Sequence, residues 1–97
     1  MPMHNPPHPG EFIAEVYLAP NHMSMRELAA ALDVAPSTLS RLLNGATSVS
    51  PVMALRLSKV LGRSPESWLA MQSSHDLWHA RRKVKLGKIA KLRFSRA

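Results

Sequence analysis

SMRELAAALDVAPSTLSRLLNG, residues 24–45, is the stretch that decides the fold. It contains two helix starts and one helix stop. Ser24-Met25-Arg26-Glu27 has the pattern of a capping box, in which the Ser side chain takes an orphan N–H of the first turn and Glu27 reaches back to the cap amide. Leu28, Ala29 and Leu32 follow at helical spacing and form an apolar stripe. Ala29, Ala30 and Ala31 are small enough to let another helix approach closely. Asp33-Val34-Ala35 is a tight turn. Pro36 suits the first position of the next helix, where its missing N–H costs nothing, and it pushes Ala35 toward extended backbone. Ala35 is a poor cap and forgoes about 0.5–2 kcal/mol relative to Ser or Thr. Leu39, Leu42 and Leu43 face inward, and Asn44-Gly45 stops the helix because both residues tolerate a left-handed conformation. The opposite side of this second helix is polar: Ser37, Thr38, Ser40 and Arg41.

The same grammar extends to both sides. His8-Pro9-Gly10-Glu11 opens an earlier helix, with Pro9 near its first position. Phe12, Ile13, Val16 and Tyr17 give that helix an apolar stripe, and Pro20 ends it. After the polar loop Ala46–Val49, Ser50-Pro51 opens a fourth helix with a stripe of Met53, Ala54, Leu57, Val60 and Leu61, stopped at Gly62. Ser64-Pro65-Glu66 opens a fifth, with an acid in its first turn to suit the helix dipole. Trp68, Leu69, Met71, Leu77 and Trp78 form its apolar side, and it is expected to run to about Arg82. The expected fold is all-α: a compact five-helix domain over residues 9–80, with a flexible N-terminal arm (residues 1–8) and a basic C-terminal tail (residues 81–97).

Composition narrows the function. With 97 residues, one domain is expected. No apolar run approaches the ~18–20 residues of a membrane span, and the Pro/His-rich start has no secretory h-region. Without Cys there is neither a disulfide frame nor a thiolate metal site, and a cytoplasm is the simplest compartment. The net charge is +7, and it is unevenly spread. Residues 1–80 hold five basic side chains against six acidic ones, while residues 81–97 hold eight basic and no acidic ones. The body is thus near neutral, and the tail carries the cations that suit a polyanion partner.

The stretch from Met25 to Gly45 resembles the phage-repressor-like (Xre/Cro) helix-turn-helix, a lambda-repressor-like fold. The resemblance continues through His8-Pro9-Gly10-Glu11, Leu55-Arg56-Leu57 and Ser64-Pro65-Glu66-Ser67-Trp68-Leu69-Ala70-Met71-Gln72 to Asp76-Leu77. Over about residues 8–80 the chain is similar to the HigA antitoxins. The opening HPGE and the W-L-x-x-Q-x-x-x-D-L segment separate that subfamily from generic phage repressors. The resemblance implies a homodimer that represses its own operon at an inverted-repeat operator and binds a small RNase toxin, HigB. It also implies that the helix beginning at Pro36 lies in the DNA major groove.

Roles follow by position. Arg41 is long, bidentate and on the exposed side, so it suits a guanine edge. Ser37 and Thr38 open the reading helix, and Ser40 suits a base or a phosphate. Ser24 and Asn44 match positions that contact phosphate in the related repressors, and Thr47 and Ser48 in the next loop suit the backbone as well. The helix starts at Ser24 and Pro36 offer N–H groups to phosphate. Pro36 itself stands where this motif often has a polar base-reading side chain. Each position has a plainer reading too: Arg41 as a solvated Arg, Ser24 as a cap only, Asn44-Gly45 as a stop only. Phe12, Ile13 and Tyr17, apolar and near the chain end, are expected to form the toxin-binding surface.

Three readings of the tail stand side by side: added phosphate contacts that weaken with salt, a solvated end, or ordering against a dimer mate or toxin through Val84, Leu86, Ile89, Leu92 and Phe94. His75 and His79 lie four apart but lack a nearby carboxylate, so they read as an exposed face, and neither metal nor cofactor is expected. No Ser/His/Asp set, Gly-rich phosphate loop or carboxylate pair stands out, so no enzymatic activity is expected. Two rival functions share the fold: a stand-alone regulator without a toxin, and a protein–protein adaptor that has lost DNA binding, which the near-neutral body and Pro36 would suit.

Overall fold

The computed structural model describes residues 5–95. Among them are five helices and no strand: α1 (Pro9–Ile13), continued by a π-helical turn (Ala14–Leu18), α2 (Met25–Leu32), α3 (Pro36–Leu43), α4 (Pro51–Leu61) and α5 (Pro65–Lys83). Four of the five begin on proline, and each of these prolines follows a residue in extended backbone: His8, Ala35, Ser50 and Ser64. That is the geometry a following proline imposes. The capping box at Ser24 is complete, with Glu27 N–H donating to Ser24 Oγ at 3.0 Å and Ser24 N–H donating to Glu27 Oε1 at 2.9 Å. Asp33 turns the chain between α2 and α3 at φ 58°, a left-handed position that Asp tolerates better than most side chains.

One core serves all five helices. Ile13, Leu28, Leu39, Ala54, Leu57 and Trp68 are fully buried, and Leu32 and Leu42 nearly so. Trp68 anchors α5, its indole N–H donating to the Gly62 carbonyl at 3.0 Å. Phe12 and Tyr17 pack their rings against it, with centroids 6.0 and 6.2 Å away.

The first helix departs from the expected stripe. Val16 is exposed, and Leu18 is buried instead. The cause is the π-helical turn, in which Ala19 N–H reaches back five residues to the Ala14 carbonyl at 3.0 Å. The wider turn shifts the inward face, so Leu18 follows Ile13 at a spacing of five. Val60 and Leu77 also lie further out than their stripes suggested.

His75 and His79 are half-buried rather than an open face. Their rings lie 4.5 Å apart, and His75 Nδ1 bonds the Pro6 carbonyl at 2.9 Å. Residues 1–4 of the expected arm lie outside the described residues, whereas Pro6 and His8 bond to the body. Beyond α5, residues 84–95 form neither helix nor strand and are exposed throughout. No helix among the described residues is long and apolar enough to cross a membrane.

Candidate nucleic-acid interface

α3 is held from three sides. Leu39 and Leu42 sink into the core, α2 packs along it, and the start of α1 packs on its end. That anchoring turns Ser37 and Arg41 out to solvent, with Thr38 and Ser40 half-buried beside them. Asn44 ends the helix, Gly45 follows at φ 77°, and the chain passes through Thr47 and Ser48, both exposed. Thr38, Arg41, Thr47, Ser48 and Ser50 line one shallow depression of about 180 Å³ between α3, the loop and α4. Of the expected DNA-contacting residues after Pro36, Thr38, Arg41, Thr47 and Ser48 thus share one surface, whereas Ser37, Ser40 and Asn44 do not line it.

The start of α3 is chemically unlike its neighbours. α1, α2, α4 and α5 each have a side-chain cap, from His8, Ser24, Ser50 and Ser64. α3 has none, because Ala35 offers no acceptor. Pro36 has no N–H, so the Ser37 amide is the open donor of this first turn, and helix-start donors attract anions. Ser24 and Pro36 are exposed but lie outside the depression. At Ser24 the Glu27 carboxylate already answers the cap amide. The Ser24 backbone bond first, and its hydroxyl bond second, hold Glu27 below the usual carboxylate value. The start of α2 thus carries its own anion, and a phosphate reaching Ser24 must compete with Glu27 for its protons.

Three positioning residues make long-range contacts that no local pattern announces. Arg56 on α4 donates to the Leu32 carbonyl at 2.7 Å and to the Asp33 carbonyl at 3.1 Å, stitching the α2–α3 turn to α4. Gln72 is buried; its Oε1 accepts the Val49 amide at 2.9 Å and its Nε2 donates to Asp76 Oδ1 at 3.0 Å. It fixes the far end of the loop after α3. His8 Nε2 bonds the Thr47 carbonyl at 3.0 Å in the same loop. All three stand within the motifs around Leu55-Arg56-Leu57, the W-L-x-x-Q segment and HPGE, but their partners lie 23 to 39 residues away, beyond any local pattern.

The expected toxin-binding set needs a correction. Ile13 is 0% exposed, because the α1 face it occupies is the core face, so it reaches no partner. Phe12 and Tyr17 are half-buried in the aromatic cluster, with the Arg63 guanidinium 5.0 Å over Phe12.

A helix with a buried leucine face and an uncapped, polar outer face, set by a tight turn against a second helix, defines a helix-turn-helix DNA-binding domain. A helix-turn-helix family profile matches residues 13–68. The chain is 42% identical over 92 residues to YddM, an HTH-type transcriptional regulator of Escherichia coli K12, covering 95% of this chain and 97% of that one. It superposes on an addiction module antidote protein of the HigA family from Coxiella burnetii with a TM-score of 0.83 and 37% identity, covering 91% and 98% of the two chains. It also superposes on the Pseudomonas aeruginosa antitoxin HigA, solved with the higBA promoter, at a TM-score of 0.76 and 31% identity, covering 86% and 88%. The chain belongs to the HigA antitoxin family of helix-turn-helix regulators, a family of DNA-binding proteins and not of enzymes.

Proposed function

We propose that the chain is the antitoxin of a toxin–antitoxin pair, a homodimeric repressor of its own operon that also neutralises a HigB-like RNase. The observation that carries this reading is the outer face of α3, with Ser37 and Arg41 exposed above the buried Leu39 and Leu42 and continuous with Thr47 and Ser48. Arg41 takes a guanine edge, Ser37, Thr38 and Ser40 approach the bases, and Asn44, Thr47 and Ser48, with Ser24 and the Ser37 amide, hold phosphates. A two-fold dimer sets two such helices in successive major grooves, roughly 34–36 Å apart. Occupying the promoter excludes polymerase.

Footprinting on the DNA upstream of its own gene tests this. Two protected segments centred ~10–10.5 base pairs apart, or a multiple of that, are expected. A single unsymmetrical segment, or none, contradicts the dimeric repressor. The tail adds contacts of a different kind: its cations hold phosphates without reading sequence. Replacing Lys85, Lys88 and Lys91 by Gln is expected to flatten the slope of log affinity against log salt by about 0.9 for each phosphate that these lysines neutralise, while leaving the preference for the promoter intact. An unchanged slope assigns the tail to another partner.

The toxin docks on the outer side of the first helix, around the rims of Phe12 and Tyr17 and the exposed Val16. An RNA-binding toxin is basic, and Glu11 and Glu15 are exposed on this helix to meet it. Val16→Arg, which removes the apolar contact and sets like charge against a basic toxin, is expected to abolish co-purification with a small RNase encoded beside this chain while leaving the melting temperature within a degree or two, since Val16 is 45% exposed. Retained co-purification moves the toxin surface elsewhere. A stand-alone regulator, to which the similarity to YddM lends support, uses the same DNA chemistry and differs only in lacking that RNase.

A further inference from the structure

Gln72 is the one buried polar side chain among the described residues, at 5% exposure. It stands on α5, and both ends of its amide are used. Its Oε1 accepts the Val49 N–H at 2.9 Å, and its Nε2 donates at 3.0 Å to the carboxylate of Asp76, an exposed residue one turn further on. These partners fix the orientation of the amide. A backbone donor faces the oxygen and a carboxylate faces the nitrogen, so a flipped amide would set donor against donor and acceptor against acceptor.

The segment that Gln72 reaches has few other ties. After α3 the last turn bond is made by Ala46, whose amide donates to the Arg41 carbonyl at 2.9 Å. Regular bonding resumes at Ser50, whose carbonyl accepts the Ala54 amide at 2.8 Å. Between them, Thr47, Ser48 and Val49 make no backbone–backbone hydrogen bond among the described residues. Two distant side chains hold them instead: His8 at the Thr47 carbonyl and Gln72 at the Val49 amide. The bond to Val49 is buried, so removing its acceptor strands a donor away from water, which is costly.

We infer that Gln72 is a positioning residue for DNA affinity: from α5 it holds Thr47 and Ser48 at the phosphate backbone, and so sets how tightly any duplex is bound without setting which sequence is preferred. The inference rests on the DNA-binding reading above. Phosphate contacts fix register and carry no sequence information directly. Thr47 and Ser48 are uncharged, so their contacts release no condensed counterions. Loosening this loop therefore has a signature of its own. Affinity falls equally for promoter and unrelated DNA, and its dependence on salt keeps the same slope. Loss of a base-reading Arg41 removes preference instead, and loss of tail lysines flattens the slope.

Gln72→Met nearly keeps the size of the side chain and removes both polar ends. At a temperature where the protein is folded, its affinity is expected to fall by roughly 10-fold or more for promoter and shuffled duplex alike, the effect of neutral hydrogen bonds lost in both protomers of a dimer. The ratio of the two affinities and the salt slope are expected to stay as in the wild type. Exchanging the pair, Gln72→Glu together with Asp76→Asn, keeps its charge and both bonds and moves the donor to the other member. It is expected to recover most of the affinity. A Q72M protein that binds both duplexes like the wild type, or that loses only its preference, overturns the inference, as does an exchanged pair that recovers nothing. A DNA-free measurement keeps it separable from the DNA-binding reading. In hydrogen exchange followed by nuclear magnetic resonance, the Val49 amide is expected to be protected in the wild type and the exchanged pair. In Q72M it is expected to exchange roughly 10-fold faster or more, while the Leu42 amide of α3 keeps its protection. A Val49 amide that stays protected in Q72M, or an α3 that loses protection with it, overturns the positioning role whether or not DNA is bound. Absence of promoter preference in the wild type, with Val49 still dependent on Gln72, overturns the DNA-binding reading alone.

Discussion

Gly10→Ala is expected to be the most destabilising of the substitutions considered, lowering the melting temperature by roughly 10 °C or more. Gly10 lies in the first turn of α1, where alanine would ordinarily favour the helix by about 0.5–1 kcal/mol. Here the added Cβ runs into the backbone of α3, overlapping the Leu42 carbonyl and lying 2.7 Å from Leu43 Cα. No flexible side chain stands there to yield, because the obstacles are main-chain atoms at the end of the recognition helix. α1 must lift away, and overpacking of this kind costs about 1–3 kcal/mol, and more where backbone must move. Out of the 5–15 kcal/mol that typically holds a small domain together, and at about 4–8 °C per kcal/mol for a chain of this size, a fall in melting temperature of roughly 10 °C or more is expected. A calorimetric scan showing a shift of only a degree or two would mean that α1 does not pack on α3 this closely.

Arg41→Ala is expected to have the opposite profile, with a large loss of recognition and little loss of stability. The Arg41 side chain is exposed on α3, so truncation leaves the fold within about 0.5 kcal/mol. A bidentate Arg–guanine pair discriminates by about 1–3 kcal/mol, and a two-fold dimer uses the residue twice. Preference for the promoter over unrelated DNA of equal length should therefore drop by about 10²-fold or more, while non-specific binding, which counts phosphates, falls far less. Arg41→Lys keeps the charge but not the fork, and should recover affinity without recovering preference. An Arg41→Ala protein that keeps its preference assigns base reading to Ser37, Thr38 and Ser40 instead.

Much of the fold is legible in local sequence because local chemistry sets it. The Ser24 capping box, the four prolines at helix starts and the stop at Asn44-Gly45 each depend on residues within a turn of one another, and they delimit the helices without tertiary information. The outer face of α3 is legible for the same reason: once Leu39 and Leu42 are inside, the 3.6-residue period puts Ser37 and Arg41 outside. The errors arise where a local rule meets a non-local one. A straight α-helical period places Val16 in the core, but the π-helical turn gives that place to Leu18, and the five-residue spacing from Ile13 is its trace in the sequence. Ile13 resembles a docking residue because it stands near the chain end, although the helix turns it inward. Gln72 and His8 have their partners in the loop after α3, at sequence separations of 23 and 39 residues, so no periodicity points to them. His75 reads as an exposed face in sequence because its partner, the Pro6 carbonyl, belongs to a segment expected to be free.

The measurement closest to the central claim is a fluorescence-anisotropy titration of the full chain against its own upstream DNA and against a shuffled duplex of the same length, at near-physiological salt. A preference of about 10³-fold or more, the range of specific regulators, is the result expected of a reading helix at α3. Equal affinity for the two duplexes would make α3 a scaffold, leave the tail's cations to account for all the binding, and contradict the repressor.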